Sequence, residues 1–230
     1  STGVFNPGAG TPLTDAQIEA APNFSWTDFF FRTGVSQNHT LSLSSGSSTA
    51  TQFTSFGFSD TQGILKDSDL KRFNFRTNVT GKSSNEKFNY GANLTVNYSK
   101  SNEPNAIGGS AINRNYVLGA FISVPYITDA DYTNGAALLS PLSFTNTPLF
   151  LLDRLRTYTR FEEEVKMVAS ANFNYKLTDW LSANVVMSAD YQSEVLTRAE
   201  APDSFNALLF GGAENPTSGF QQQANTRAFS

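Results

Sequence analysis

The chain has 230 residues, of which 39% are hydrophobic and 16% charged, with a mean hydropathy of −0.29 and a net charge of −4. No run reaches the roughly 20 apolar residues that a membrane-spanning helix needs. The acidic balance gives no electrostatic case for binding nucleic acid. Cysteine is absent, which excludes disulfides and thiolate metal sites. Asn, Ser, Thr and Gly replace the charge that soluble domains carry, about 25% of their residues.

Residues 1–36 form the leading segment and loop of the predicted fold. One short helix is expected over residues 15–21, because Thr14 is a preferred N-cap type immediately before them. The first residues lack a charged region followed by an apolar run. We therefore expect a mature chain or a part of a longer one.

Alternating apolar and polar residues then predict about six β-strands with two unlike faces. In the segment KFNYGANLTVNYSK (87–100), Phe88, Leu94 and Tyr98 share one face, and small polar residues occupy the other. The strands are predicted at residues 38–46, 51–60, 71–81, 87–100, 165–177 and 181–193.

Two hairpin registers follow from this alternation, because a slip of one residue would mix the faces. A turn at 178–180 pairs Phe173 with Val185. In the earlier hairpin, we expect Val79 to pair with Phe88. The same registers place Asn174 opposite Asn184, and Arg76 opposite Gly91, where the missing side chain would leave room for the guanidinium.

The connections between strands alternate between short turns and long loops. Long structureless loops are unusual inside a compact soluble domain, whereas outer-membrane barrels have short periplasmic turns and long extracellular loops. The sequence therefore predicts barrel strands with short turns over 37–100 and a barrel hairpin over 161–193. Residues 101–160 would form a long extracellular loop, and residues 194–230 an extracellular loop that ends before the next strand.

The chemistry of the two faces favours a membrane. The polar face carries mostly Asn, Ser, Thr and Gly instead of the Lys and Glu of a water-facing sheet. Tyr175, Trp180 and Phe88 lie toward the short turns, and Tyr98 and Tyr191 toward the long loops, as in the aromatic girdles of membrane barrels. We predict an all-β fold, an antiparallel transmembrane β-barrel segment. A membrane barrel needs about eight strands or more, so the segment would belong to a larger barrel.

Residues 26–47 (WTDFFFRTGVSQNHTLSLSSGS) resemble the block at the start of the barrel in SusC-like TonB-dependent transporters. The matching features are FRTG at 31–34, QNH at 37–39 and the strand LSLS at 41–44, whereas Ser45 and Gly46 stand where a glycine pair is usual. The resemblance runs over about 22–193. It implies a barrel of about 22 strands, with a plug and TonB box that are not visible in these residues.

This resemblance also implies a location and partners. The location would be the outer membrane of a Gram-negative bacterium, and the cargo would be glycan oligomers or peptides. A SusD-like surface lipoprotein would cap the long loops. Energy would come from the TonB–ExbB–ExbD system through parts of the protein not in this chain. Outer-membrane lipid would contact the wall, and neither a cofactor nor nucleic acid is expected.

No enzyme is expected. His39 is the single histidine, so a metal site or catalytic triad built on it has no second member. The acidic run 162–164 reads as a solvated rim. The segment 129–135 lacks the residue spacing of a calcium loop.

The candidate functional residues lie on the polar face of the predicted strands, where they would line the lumen or contact a plug. Buried charges are usually paired, so the cations among them would meet plug carboxylates or line the substrate path. The candidates are Arg72, Arg76, Asn89, Asn93, Asn97, Lys166, Asn172, Lys176 and Asn184.

Two other interpretations stay open. A soluble or surface-attached β-sandwich that binds carbohydrate would use the apolar face as a dry core, and it would extract without detergent. A structural or secretion-associated outer-membrane barrel would keep the same wall without a working TonB box and plug.

Overall fold

The computed structural model describes residues 14–103, 114–140, 142–209 and 219–230. The remaining residues fall within the predicted leading segment and the two long predicted loops, so those predictions lie partly outside the described residues. The described chain forms two compact units. We call them the helical unit (Ser1–Phe31, Asn105–Thr157 and Pro202–Ser218) and the sheet unit (Arg32–Pro104, Tyr158–Ala201 and Gly219–Ser230).

The sheet unit is one seven-stranded sheet in which neighbours in sequence are neighbours in space. Every strand pair is antiparallel. The fold is therefore all-β and antiparallel, as predicted for a barrel segment, and the sheet is open. The strands are β1 (Ser36–Gly46), β2 (Ala50–Gln62), β3 (Asp69–Lys82), β4 (Phe88–Asn102), β5 (Tyr158–Lys176), β6 (Ser182–Glu200) and β7 (Phe220–Phe229).

The described residues form seven strands, one more than the six ranges predicted. β6 continues to Glu200, and β7 occupies Phe220–Phe229, both within the residues predicted to be a loop. β7 (FQQQANTRAF) has polar residues on both faces, so no alternation marks it in the sequence. Backbone pairing with β6 forms this strand instead, with Phe229 opposite Tyr191.

The predicted register of the β5–β6 hairpin is confirmed. Phe173 pairs with Val185, and Asn174 with Asn184. The Leu177 backbone N–H donates to the Leu181 carbonyl at 2.9 Å and closes the turn.

The predicted register of the β3–β4 hairpin is wrong, although the assignment of faces survives. Val79 pairs with Ala92 instead of Phe88, and Arg76 lies opposite Thr95. β3 extends to Lys82, and a side-chain-capped turn follows, in which the Ser83 hydroxyl accepts from the Phe88 backbone N–H at 3.0 Å. The slip is an even number of residues, and the period of a strand is two, so each side chain keeps its face.

Among the described residues, the helical unit contains five short α-helices, named here α1 to α5, and its own hydrophobic core. The Thr14 side chain caps α1, as predicted, by accepting from the Gln17 backbone N–H at 3.3 Å. Apart from Leu65, every buried hydrophobic residue among those described belongs to this unit. The helices are α1 (Asp15–Glu19), α2 (Trp26–Phe30), α3 (Tyr116–Ile122), α4 (Thr147–Thr157) and α5 (Phe205–Leu209).

Aromatic contacts join the distant segments of this core. The Trp26 indole N–H donates to the Ile127 carbonyl at 2.9 Å. Phe30 stacks on Tyr116, with ring centroids 5.4 Å apart, and Phe150 stacks on Phe205 at 4.1 Å. None of the helices in the described ranges is both long and apolar enough to cross a membrane.

Candidate functional site

The strand registers gather the apolar side chains of the sheet into one continuous band. Side chains of directly paired residues project to the same side, and alternate residues share a face. Leu41 is 75% exposed and Leu43 is 69% exposed on this face. One row of the band runs across all seven strands through Leu41, Phe56, Phe75, Val96, Met167, Tyr191 and Phe229.

Toward the long connections, aromatic rings and then charges end the apolar band. Phe73 packs between Phe58 and Tyr98, with ring centroids at 4.8 and 6.3 Å. The Tyr98 hydroxyl donates to Glu163 Oε1 at 2.9 Å, and Lys100 Nζ reaches the same oxygen at 3.2 Å. Tyr98 and Lys100 are successive residues on this face of β4, so the surface changes from apolar to charged over two positions of the strand.

Toward the short turns, a second aromatic group ends the band. The Phe88 ring lies 6.1 Å from Phe173 and 6.5 Å from Tyr175, centroid to centroid. Trp180 in the β5–β6 turn is 83% exposed. Aromatic side chains thus stand at both ends of the band, as the sequence predicts. His39 lies within the band, opposite Phe58.

Register and alternation place all nine candidate residues on the opposite, polar face. Asn97 pairs with Lys166, and Asn172 with Gly91. That this face lines a lumen or meets a plug stays a prediction. The other pairings are Arg72 with Ser99, Arg76 with Thr95, Asn93 with Ser170, Asn89 with Asn174, Asn184 with Asn174, and Lys176 with Ser182.

A cavity of about 380 Å³ lies on the polar face across β3, β4 and β5. It brings together three of the candidates, Arg72, Asn97 and Lys166. Its remaining lining residues are Asn74, Ser99 and Glu164, which sequence reasoning did not select. The alternation of side chains along a strand would have identified these three residues, since each lies on the same strand and the same face as a candidate residue.

A second cavity, of about 400 Å³, lies at the short-turn end of the polar face. It contains the candidates Asn89 and Asn172 beside Gly81 and Gly91. A side chain at Gly91 would collide with the Asn172 amide, so glycine here makes room for Asn172 and not for the predicted Arg76. Four candidates line neither of these two cavities: Arg76, Asn93, Lys176 and Asn184.

The helical unit has a buried polar centre, Asp153, which the sequence did not reveal. Its carboxylate accepts from the Tyr132 hydroxyl at 2.8 Å and from the Phe205 backbone N–H at 2.8 Å. The Arg156 guanidinium lies 4.6 Å from the Tyr132 ring centroid. Burial raises the pKa of Asp153 and, with the adjacent Asp153 carboxylate, raises the pKa of Tyr132 as well. Asp153 thus links three segments that are distant in sequence.

The described residues give no sign of a metal centre. Within the described ranges, no group of three or more His, Asp or Glu side chains could hold a metal ion. Asp131, in the segment compared above with a calcium loop, accepts from the Thr128 backbone N–H at 2.8 Å and from its hydroxyl at 3.0 Å. This segment is therefore a capped turn.

Comparisons with known proteins identify the fold. No protein-family model matches, and no curated protein matches. The RagAB peptide importer in its closed-closed state matches with a TM-score of 0.64 and 15% identity, over 94% of this chain and 24% of that chain. The RagAB peptide transporter matches with a TM-score of 0.64 and 15% identity over 93% and 24%, and the open-open state with 0.64 and 14% over 99% and 27%. The chain spans about a quarter of the matched chains, and the likeness shows the fold.

Proposed function

We propose that this chain is part of the wall of an outer-membrane β-barrel transporter in a Gram-negative bacterium. The observation that carries the proposal is the exposed apolar band with aromatic side chains at both of its ends. A water-facing protein rarely presents so large an apolar surface. A lipid-facing barrel wall has this arrangement, since aromatic rings suit the boundary between hydrocarbon and water.

We further propose that the transporter is a SusC-like, TonB-dependent importer of peptides or glycan oligomers. Two independent lines support this. The block at residues 26–47 resembles the start of the SusC-like barrel, and the matched structures are described as a peptide importer. A SusD-like lipoprotein would then cover the long loops, and TonB–ExbB–ExbD would supply energy through other parts of the protein.

Within such a transporter, this segment would supply wall, lumen lining and loop surface. The polar face offers amide and hydroxyl groups that suit a hydrated interior. We propose no catalytic role for the segment, because a barrel wall only separates the membrane lipid from the polar transport path inside the barrel.

The experiment is cysteine labelling in intact cells of the protein expressed from its complete gene, with any cysteine outside these 230 residues replaced. Residues 1–230 contain no cysteine, so each variant then carries one probe in this segment. A hydrophilic, pore-permeant maleimide should label Asn172→Cys and Asn184→Cys on the polar face. It should leave Ala171→Cys and Val185→Cys unlabelled, because lipid covers them. Adjacent positions on one strand are matched controls for expression and folding.

The reverse labelling pattern would overturn this proposal. Fractionation supplies an independent check, since a barrel wall should require detergent for extraction. Recovery in a detergent-free fraction would instead favour the β-sandwich interpretation, in which the apolar band would be covered.

A further inference from the structure

The cavity across β3, β4 and β5 is lined by two cations and one anion. Arg72 and Lys166 have no ion-pair partner in the part of the chain that the structure describes. The third charged lining residue, Glu164, accepts a hydrogen bond from the Gln192 amide at 3.0 Å on the neighbouring β6. The cavity therefore carries one excess positive charge.

The register places the two cations on opposite sides of a neutral floor. Arg72 lies on β3 and Lys166 on β5, so their backbones are two strands apart, roughly 10 Å. Asn97 pairs with Lys166, and Ser99 pairs with Arg72 between them. Both long side chains can reach a group that sits over this floor, and the amide and hydroxyl of the floor can donate or accept hydrogen bonds.

We propose that this cavity binds a carboxylate group of the transported molecule, which is an acidic peptide or an acidic oligosaccharide. This inference rests on the proposed function, because it requires the polar face to border the transport path. Arg72 would form a planar, two-donor contact with the carboxylate, and Lys166 would add a point charge. The volume of about 380 Å³ lies within the range of small-ligand sites.

The experiment measures binding to the protein expressed from its complete gene and purified in detergent. The probes are a glutamate hexapeptide and a trimer of galacturonic acid, with a glutamine hexapeptide as the uncharged control. Arg72→Gln and Lys166→Gln should each weaken binding of the acidic probe about tenfold, as loss of a charge-assisted contact does. Glu164→Gln should tighten it, because a repelling charge is removed.

Lys71→Gln is the matched control, since Lys71 precedes Arg72 on β3, does not line this cavity, and is placed on the opposite face by alternation. It should leave the affinity unchanged. Preference for the peptide or the trimer identifies the source of the carboxylate, and either preference supports the site. The proposal is overturned if neither acidic probe binds, or if Arg72→Gln and Lys166→Gln bind as the unmodified protein does.

A third result would also overturn it. If the two variants lower the melting temperature without changing probe affinity, an internal carboxylate of the same protein fills the cavity. The cysteine labelling described above reports on the membrane wall alone. Failure of carboxylate binding is therefore distinguishable from failure of the proposed function.

Discussion

Leu151 and Leu43 are the same residue type in opposite surroundings. Leu151 in α4 has no exposed surface, whereas Leu43 in β1 is 69% exposed. The two units differ in this respect, because nearly all buried hydrophobic residues among those described belong to the helical unit, although Phe121 and Phe144 of that unit are also exposed. The helical unit therefore follows the rule for a protein in water. In the proposed function, the exposed apolar band of the sheet unit faces the hydrocarbon of a bilayer.

The largest expected effect is the difference in stability between truncation of Leu151 and truncation of Leu43. Leu151→Ala should lower the free energy of unfolding of the helical unit by about 2–5 kcal/mol, because it leaves a cavity in a packed core. Leu43→Ala should change stability much less, since an exposed side chain leaves no cavity. Hydrogen exchange of the purified protein, read separately for each unit, measures both. Equal effects would contradict the contrast between the units.

The next effect separates the two faces of one strand. Leu94→Arg, in the middle of the apolar band opposite Thr77 and Ala169, should lower the free energy of unfolding from a bilayer by about 2–4 kcal/mol. Asn93→Arg, next to it on the polar face, should have a small effect. Urea titration in lipid vesicles measures both variants. If Asn93→Arg is the more damaging, the polar face is the one in lipid.

A smaller effect is expected at the polar centre of the helical unit. Tyr132→Phe removes the hydroxyl that donates to Asp153 and should destabilise this unit by about 1–3 kcal/mol, because a buried acceptor loses a partner. Protection from hydrogen exchange over α4 reports the change, and the strands should keep their protection. Loss of protection in both units alike would contradict a local role.

Asp153 should also make the helical unit sensitive to pH. Burial raises the pKa of this carboxyl in the folded state, so the folded state holds the proton more tightly than the unfolded state. The free energy of unfolding should therefore fall as the pH rises from about 4 to the raised folded value, and level off above it. Asp153→Asn should remove this dependence, and an unchanged pH profile in that variant would assign the effect to another group.

The smallest effect concerns the glycines of the sheet. Gly91→Ala should cost about 1 kcal/mol or less, because the colliding atom is the end of the Asn172 side chain, which can rotate. Gly81→Ala should cost more, since the added methyl group meets the Tyr90 ring. Thermal unfolding in detergent ranks the two variants. The opposite order would show that Tyr90 has room to move.

The strands could be predicted from the sequence where alternation is strong. The β5–β6 register follows from the short turn between Leu177 and Leu181, which allows few alternatives. In the β3–β4 hairpin, parity fixed the faces, but the length of the turn after Lys82 depends on side-chain capping by Ser83 that alternation does not encode. β7 could not be predicted for a related reason. It forms by backbone pairing with β6, and its own sequence has no alternation of apolar and polar residues.

Helix α1 with its Thr14 cap could be predicted from local pattern, but the core of the helical unit could not. Its core combines Trp26, Tyr116 and Phe205, which belong to three segments far apart in the chain. In the sequence, Asp153 is a single acidic residue in an amphipathic stretch. It becomes a buried hydrogen-bonded site only because the fold brings Tyr132 and Phe205 to its carboxylate. Three of the six residues that line the cavity across β3, β4 and β5 were predicted as candidates. Alternation identifies the face on which a side chain lies, but it does not identify which side chains line the same cavity.

The unusual length of β5 and β6 has a consequence for how this protein meets its surroundings. Each strand has 19 residues, whereas β1 has 11. In the proposed orientation, the apolar part of β5 ends at Val165, and the strand continues to Tyr158 for roughly 23 Å more. The β5–β6 hairpin would therefore extend beyond the lipid headgroups on the extracellular side. A molecule arriving from outside the cell would touch protein well before it comes near the bilayer.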